Sequence, residues 1–427
     1  MKKLSKRISI ILVLSMILSG CGNAGKETTS GSTDKENTDT PIKIGVIQPR
    51  SGNLAVSGED SYLGSKIAFD LINERGGING RQIEIVAADV PDQTAAQNEV
   101  NRLIQNEGVK VITGIYGSAM AEVAGNVTNR NDVLYWESIS VTDKLTSKGY
   151  KGVFRTHVNG SGFGAQAAKI AGTFADDIGM DVKDMKVAII CENGDFGQSV
   201  ARGVEKYAEE TGMQIVLNEL YDSKSTDTSP IVLQMKAAEP DVVIATSYIN
   251  DGIDITKQSK ILDFNPKLYI GIGSGYGLPA YYDALGENAE GIIDIDPSKK
   301  PVYDSLSPEL AEAVKEFEKR FEQERGYEPP VIGYLTFQSA WVLAYNVIEV
   351  AGGVDDYQAM IDAAHAIDLP EGSLPTGAGI KFDSFGQNMR ASLVAMQWQN
   401  GQLETIYPEA MASKEAIMIP RPKWSER

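Results

Sequence analysis

From Ile42 onward the chain alternates short, β-branched apolar runs with longer stretches whose apolar residues recur every three to four positions. IKIGVI, QIEIVAA, VKVITGI and VLYWES have the length and composition of strands and are bounded by glycine or polar turns. The stretches between them predict helices. In SYLGSKIAFDLINERGG, Leu63, Ile67, Ala68, Leu71 and Ile72 share one stripe, and Gly76-Gly77 supplies a stop. The rhythm restarts after GVFRTHVNG with the runs KVAIICE, MQIVLNEL, DVVIATS and KLYIGIG. Between the first two of these, Val200, Val204, Tyr207 and Ala208 share a helical face. Strands that alternate with helices imply right-handed crossovers and parallel sheets covered on both faces. Two such runs predict an α/β fold of two doubly wound parallel-sheet lobes.

The pattern changes late in the chain. SPELAEAVKEFEKRFEQERG and VIGYLTFQSAWVLAYNVIEVAGG predict the longest helices, and IKFD and SLVAMQWQNGQLETIYP read as strands. These pieces are too few for a third lobe. They are expected to return and complete the first lobe and then the second, so that several segments cross between the lobes.

Before Ile42 the pattern is of another kind. Lys2, Lys3, Lys6 and Arg7 precede an apolar run over 8–18, too short to span a bilayer, and Leu18-Ser19-Gly20-Cys21 follows it. Residues 1–20 read as a signal peptide, and the polar residues 21–40 as a flexible tether. The 427 residues predict two or three domains, and the formal charge of −18 argues against nucleic acid or an anionic membrane surface as a direct partner. Loss of the four signal cations makes the remainder more acidic still. The other cysteine, Cys191, ends an apolar run with no cation beside it, which predicts a small buried hydrophobe rather than a reactive thiol.

The stretch GIYGSAMA at 114–121 admits three chemistries: an activated nucleophile, a phosphate cradle, or a clamp for some other anion. A serine nucleophile needs a base, and the only histidines, His157 and His365, have no supporting residues nearby in sequence and are expected to be structural. No G-x-S-x-G elbow surrounds Ser118. Two distant histidines and one free cysteine do not make a metal site. GSGFG and GIGSGYG complete neither a dinucleotide fingerprint nor a P-loop, so no cofactor is expected. What remains is placement. Ligands of open parallel sheets bind beyond the carboxyl ends of the strands. Those ends carry Tyr116, Gly117 and Ser118; Trp136, Glu137, Ser138 and Ser140; Asp195 and Phe196; Tyr248 and Asp251; and Ser274 and Tyr276.

The segments IKIGVIQPRSGNLAVSGED, AFDLINERGGINGRQIEIVAAD, GVKVITGIYGSAMAEVAG, GVFRTHVNGSGFGAQAAKIA and PPVIGYLTFQSAWVLAYNVIEVAGG carry a resemblance. Over residues 42–408 the chain resembles the substrate-binding proteins of ABC importers of the leucine/isoleucine/valine-binding type. The resemblance implies a type I periplasmic binding protein, with lobes 42–156 plus 292–378 and 157–291 plus 381–427. Three hinge segments would fall near 155–158, 290–292 and 379–381. The start resembles the lipobox of bacterial lipoproteins, which implies cleavage before Cys21, lipid on its sulfur, and membrane attachment outside the cytoplasm by that lipid alone.

In that family, backbone amides and a hydroxyl matching Gly117-Ser118-Ala119 hold the ligand carboxylate, helped by the loop matching Ile139-Ser140-Val141. Phe196 stands where a tyrosine is usual, Val141 where a threonine often stands, and Tyr248 matches a cleft aromatic. The acid that usually meets the ligand ammonium falls on Gly273. Glu137 and Asp251 are candidates to replace it, while Ser274 and Tyr276 would suit a neutral polar group. The expected ligand-binding set is Tyr116, Ser118, Ala119, Glu137, Ile139, Ser140, Phe196, Tyr248 and Ser274. The expected protein is a monomer without catalytic residues that captures a small amino acid or related carboxylate and passes it to an ABC permease. The alternative is a sensor that signals to a membrane receptor without transport.

Overall fold

The computed structural model describes residues 40–299 and 301–427; the expectations for the signal peptide, Cys21 and nearly all of the tether lie outside them. Each apolar run of the first half forms a strand: β1 (Ile42–Gln48), β2 (Ile83–Asp89), β3 (Val111–Thr113), β4 (Leu134–Glu137) and β5 (Val153–Arg155). They make an all-parallel sheet in the order β2-β1-β3-β4-β5. The second run repeats it. β6 (Lys186–Glu192), β7 (Gln214–Tyr221), β8 (Val242–Thr246), β9 (Leu268–Ile272) and β10 (Ile293–Asp296) pair in parallel in the order β7-β6-β8-β9-β10. In both sheets the order reverses beside the first strand, which opens a crevice at the carboxyl ends.

The expected parallel sheets are present, and the second carries an antiparallel edge. β11 (Val394–Gln399) and β12 (Gln402–Tyr407) form a hairpin laid against β10. Its turn is Asn400-Gly401, with φ of 52° and 77°, the positive values a two-residue hairpin turn demands.

Two lobe boundaries differ from expectation. β10 is hydrogen-bonded between β9 and β11, so the second crossing follows Asp296 instead of lying near 290–292. The third also comes later than 379–381. Phe382 packs with Trp136 and Phe154 in the first-lobe core, and Gln387 bridges to Arg155 at the sheet edge. The chain therefore stays with the first lobe until shortly before β11. The first crossing follows β5, because Phe163 already belongs to the second-lobe core.

The late helices complete the first lobe. The helix Val331–Val342 is buried at every position and lies against Ala55–Glu74, where Gly64 allows the closest approach. A Cβ there would stand 2.4 Å from the Gly333 carbonyl oxygen, so only glycine fits. With the following turns, Val331–Ile348 is long and apolar enough to cross a membrane, yet 89% of it is buried in the protein, which makes it a core helix.

Candidate functional site

The first lobe supplies the ends of β3 and β4. Beyond Thr113 the chain reaches Gly117, at φ 122°, and enters the helix Ser118–Arg130. Glycine takes that backbone conformation with little strain. The first amides of the helix, at Ser118 and Ala119, have no carbonyl one turn behind them and carry the positive end of its dipole. Ser118 Oγ accepts the Val141 N–H at 3.4 Å, and Ser140 Oγ donates to it at 3.5 Å. Two loops thus meet at two hydroxyls.

Glu137 fixes that meeting. Fully buried, it accepts N–H groups from Ile115 at 3.0 Å, Ile139 at 2.8 Å and Ser140 at 2.8 Å, and the Tyr135 hydroxyl as well. Burial pushes its carboxyl up to about 7 against the opposing pull of these donors. Because both oxygens are used by the protein, Glu137 positions the clamp from behind and does not line the cleft, unlike the ligand contact expected of it. Trp136 also faces inward, its indole N–H donating to the Ser339 carbonyl at 2.9 Å in the first-lobe core.

Across the cleft stand residues from four strand ends of the second lobe. Phe196 lies in the first turn of the helix Asp195–Thr211, Tyr248 caps the helix Ile249–Ile261, Gly273 follows β9, and Asp296 ends β10. With Tyr116, Ser118, Ile139 and Ser140 they line one cavity. Tyr116 and Phe196 flank Tyr248, with ring centroids 6.1 and 5.8 Å from it. Of the expected set, Ala119 faces the adjoining outer crevice instead. Ser274 opens the short helix Ser274–Gly277, and its side chain lies outside the described atoms.

The two replacement acids proposed from sequence are otherwise engaged. Asp251, raised to about 6 by burial, accepts the Tyr221 hydroxyl at 2.6 Å and the Tyr248 N–H at 3.3 Å, and it does not line the cavity. Tyr276 is fully buried and its hydroxyl pairs with Ser247 at 2.9 Å, which places it in the lobe core.

Three lining residues escaped the sequence reading. Phe163 comes from the helix Gly160–Thr173. His157, expected to be merely structural, lines the cavity from the first crossing. Its Nδ1 accepts the Val158 N–H at 2.8 Å, and burial, with Arg155 nearby, lowers its pKa to about 3. It is therefore neutral, with its proton on Nε2. The third is Asp296. It is 2% exposed, and its Oδ2 makes no hydrogen bond among the described residues. The signal was present as IDID, acids at every second position of an apolar strand, a spacing that puts Asp294 and Asp296 on one face.

Gly273 explains why the acid is not where the resemblance would put it. Its φ of 80° and ψ of 175° belong to a region essentially restricted to glycine, and a Cβ would stand 2.9 Å from Phe196 Cζ. A side chain at 273 would therefore need both a strained backbone and a displaced Phe196 ring.

The lobes touch on both sides of the cavity. Tyr116, Ile139 and Ile332 pack with Leu278 and Tyr248 in a small cluster shared between the lobes. Nearer the first crossing, Lys144 pairs with Asp195, Arg202 with Asp143 at 3.2 Å, and the Asp143 N–H donates to Ser199 at 3.1 Å. This is a closed cleft.

Comparison with known proteins agrees with this geometry. The periplasmic binding protein family matches residues 41–402. "Leu/Ile/Val-binding protein homolog 7" of Brucella abortus is 35% identical over 384 residues, 89% of this chain and 94% of its own length. Homolog 8 of the same species is 34% identical over 373 residues, 87% of this chain and 91% of its own. Among solved structures, the branched-chain amino acid transporter substrate binding protein LivJ of Streptococcus pneumoniae, in complex with isoleucine, superposes with a TM-score of 0.72 at 22% identity, covering 86% of this chain and all of that one. A solute binding protein of R. palustris in complex with benzoate gives 0.72 at 19% identity over 89% of this chain and 99% of its own. The chain belongs to the periplasmic binding protein family, in its branched-chain amino acid transporter type. Its relatives are substrate-binding proteins and not enzymes, and the family places it outside the cytoplasm.

Proposed function

We propose that this protein is a lipid-anchored receptor that captures a small amino acid or related carboxylate in the interlobe cleft and delivers it to an ABC importer. The observation that carries the reading is the Ser118 clamp. A helix start with free amides and two converging hydroxyls faces an aromatic-walled cavity between the lobes. The relatives support the chemistry, since their ligands include isoleucine and benzoate, both of which bear a carboxylate. The lipobox-like start at Cys21 supports the anchor, and the closed contacts between lobes support hinge closure around the ligand. Binding would favour the closed form through contacts made with both lobes at once. Thermal-shift screening of the purified protein against amino acids, their amides and small organic acids tests the reading. Stabilisation by at least one carboxylate is expected; stabilisation by none would sink it.

A further inference from the structure

Asp296 occupies a position no purely structural role accounts for. Its carboxyl is nine-tenths or more buried, lines the cavity opposite the Ser118 clamp, and leaves Oδ2 without a donor among the described residues. Asp294, two residues earlier on the same strand, is fully buried, with neither oxygen hydrogen-bonded among the described residues. Two neighbouring buried acids are costly unless a positive charge is brought to them. Aromatic faces, here Tyr116, Phe196 and Tyr248, favour the same charge.

We infer that Asp296 receives a positively charged group of the ligand, so that the cleft selects small zwitterions over carboxylic acids that lack an amine. This deepens the proposed function and rests on it. This acid stands at the end of β10, the strand next to β9, whose own end carries Gly273 in a backbone conformation that disfavours a side chain. Asp294 stands behind it on the same strand without lining the cavity. Burial holds both carboxyls well above the usual carboxylate range, with repulsion from Asp296 adding to the effect on Asp294. Pairing with an arriving ammonium favours the charged form of Asp296, against the effect of burial. The titratable groups around this exchange are Asp294 on the same strand, Lys299 beyond it, and Tyr116 and His157, which line the same cavity.

The test is calorimetric titration of the wild-type protein, Asp296→Asn and Asp294→Asn with paired ligands, each amino acid against the acid of the same skeleton without its amine, such as valine and isovalerate. The wild type is expected to prefer an amino acid, and Asp296→Asn to weaken that ligand by roughly 100-fold while leaving the amine-free acid unchanged or tighter. Asp294→Asn is expected to weaken the amino acid less. Removing a buried unpaired carboxyl should leave the melting temperature equal or higher, and this confirms that the variant is folded; Asp296→Glu provides a second folded variant that keeps the charge. Undiminished amino-acid binding by Asp296→Asn, or equal wild-type affinity for the two members of a pair, overturns the inference and leaves the proposed function standing. Failure of the wild type to bind either kind of ligand overturns both.

Discussion

Ser118 is the residue whose removal speaks most directly to ligand capture. Its hydroxyl both joins the two first-lobe loops and faces the cavity. Ser118→Ala should weaken binding about ten-fold, one charge-assisted hydrogen bond or a little less, with little loss of stability; titration of the ligand found by screening checks it. Glu137 predicts something different, a pH dependence of folding. Its pKa is raised to about 7 in the folded state from an ordinary value near 4.5, so the folded protein holds the proton more tightly. The associated stability is fully present below pH ~4.5 and is lost as pH rises through 7, by up to about 3 kcal/mol. Urea denaturation at pH 5, 6 and 7.5 should show that fall, and Glu137→Gln should flatten it. Gly273→Ala should cost about 1–3 kcal/mol, from its backbone conformation and the displaced Phe196 ring, read as a lower melting temperature. At this scale the sequence showed which residues sit at strand ends but not which way they point. Glu137 and Trp136 are neighbours of clamp residues and read like them, yet pleating and loop curvature turn both inward.

At the scale of elements, Arg155 shows what links strand, loop and crossing. Its fully buried guanidinium donates to the Thr142 carbonyl at 2.5 Å, to Thr146 Oγ1 at 2.8 Å and from Nε to Gln387 Oε1 at 2.8 Å. Its backbone is held between Gly386 and Asn388. The loop that carries Ser140, the end of β5 and the approach to the third crossing are thereby tied at one point. Arg155→Met should leave several of these acceptors unsatisfied and destabilise the protein by about 3 kcal/mol, visible as a reduced urea midpoint. Regular elements were legible because the apolar period decides them: the runs read as strands in the two α/β halves formed strands, while IKFD, also read as a strand, forms only isolated bridges. β10 was not, because alternating acids in GIIDID disguise a buried strand as a polar connection. The crossing beside it was misplaced for the same reason, and Asp296 went unnoticed with it.

For the molecule as a whole, the closed arrangement rests on a shared apolar cluster on one side of the cavity and on partly exposed ion pairs on the other. Such pairs are weak and salt-sensitive. Lys144→Ala with Arg202→Ala should loosen closure, so that small-angle scattering of the ligand-free double variant gives a larger radius of gyration than the wild type, with less difference in high salt. The chain path carries a consequence of another kind, for the order in which the protein is made. One face of the first sheet is covered by Phe337 and Trp341, which emerge from a ribosome only after the whole second α/β run. The second sheet in turn waits for its hairpin near the end of the chain. Neither lobe is a finished unit while synthesis continues, so a nascent chain holds uncovered apolar strands until its last segments arrive and needs shelter over that interval.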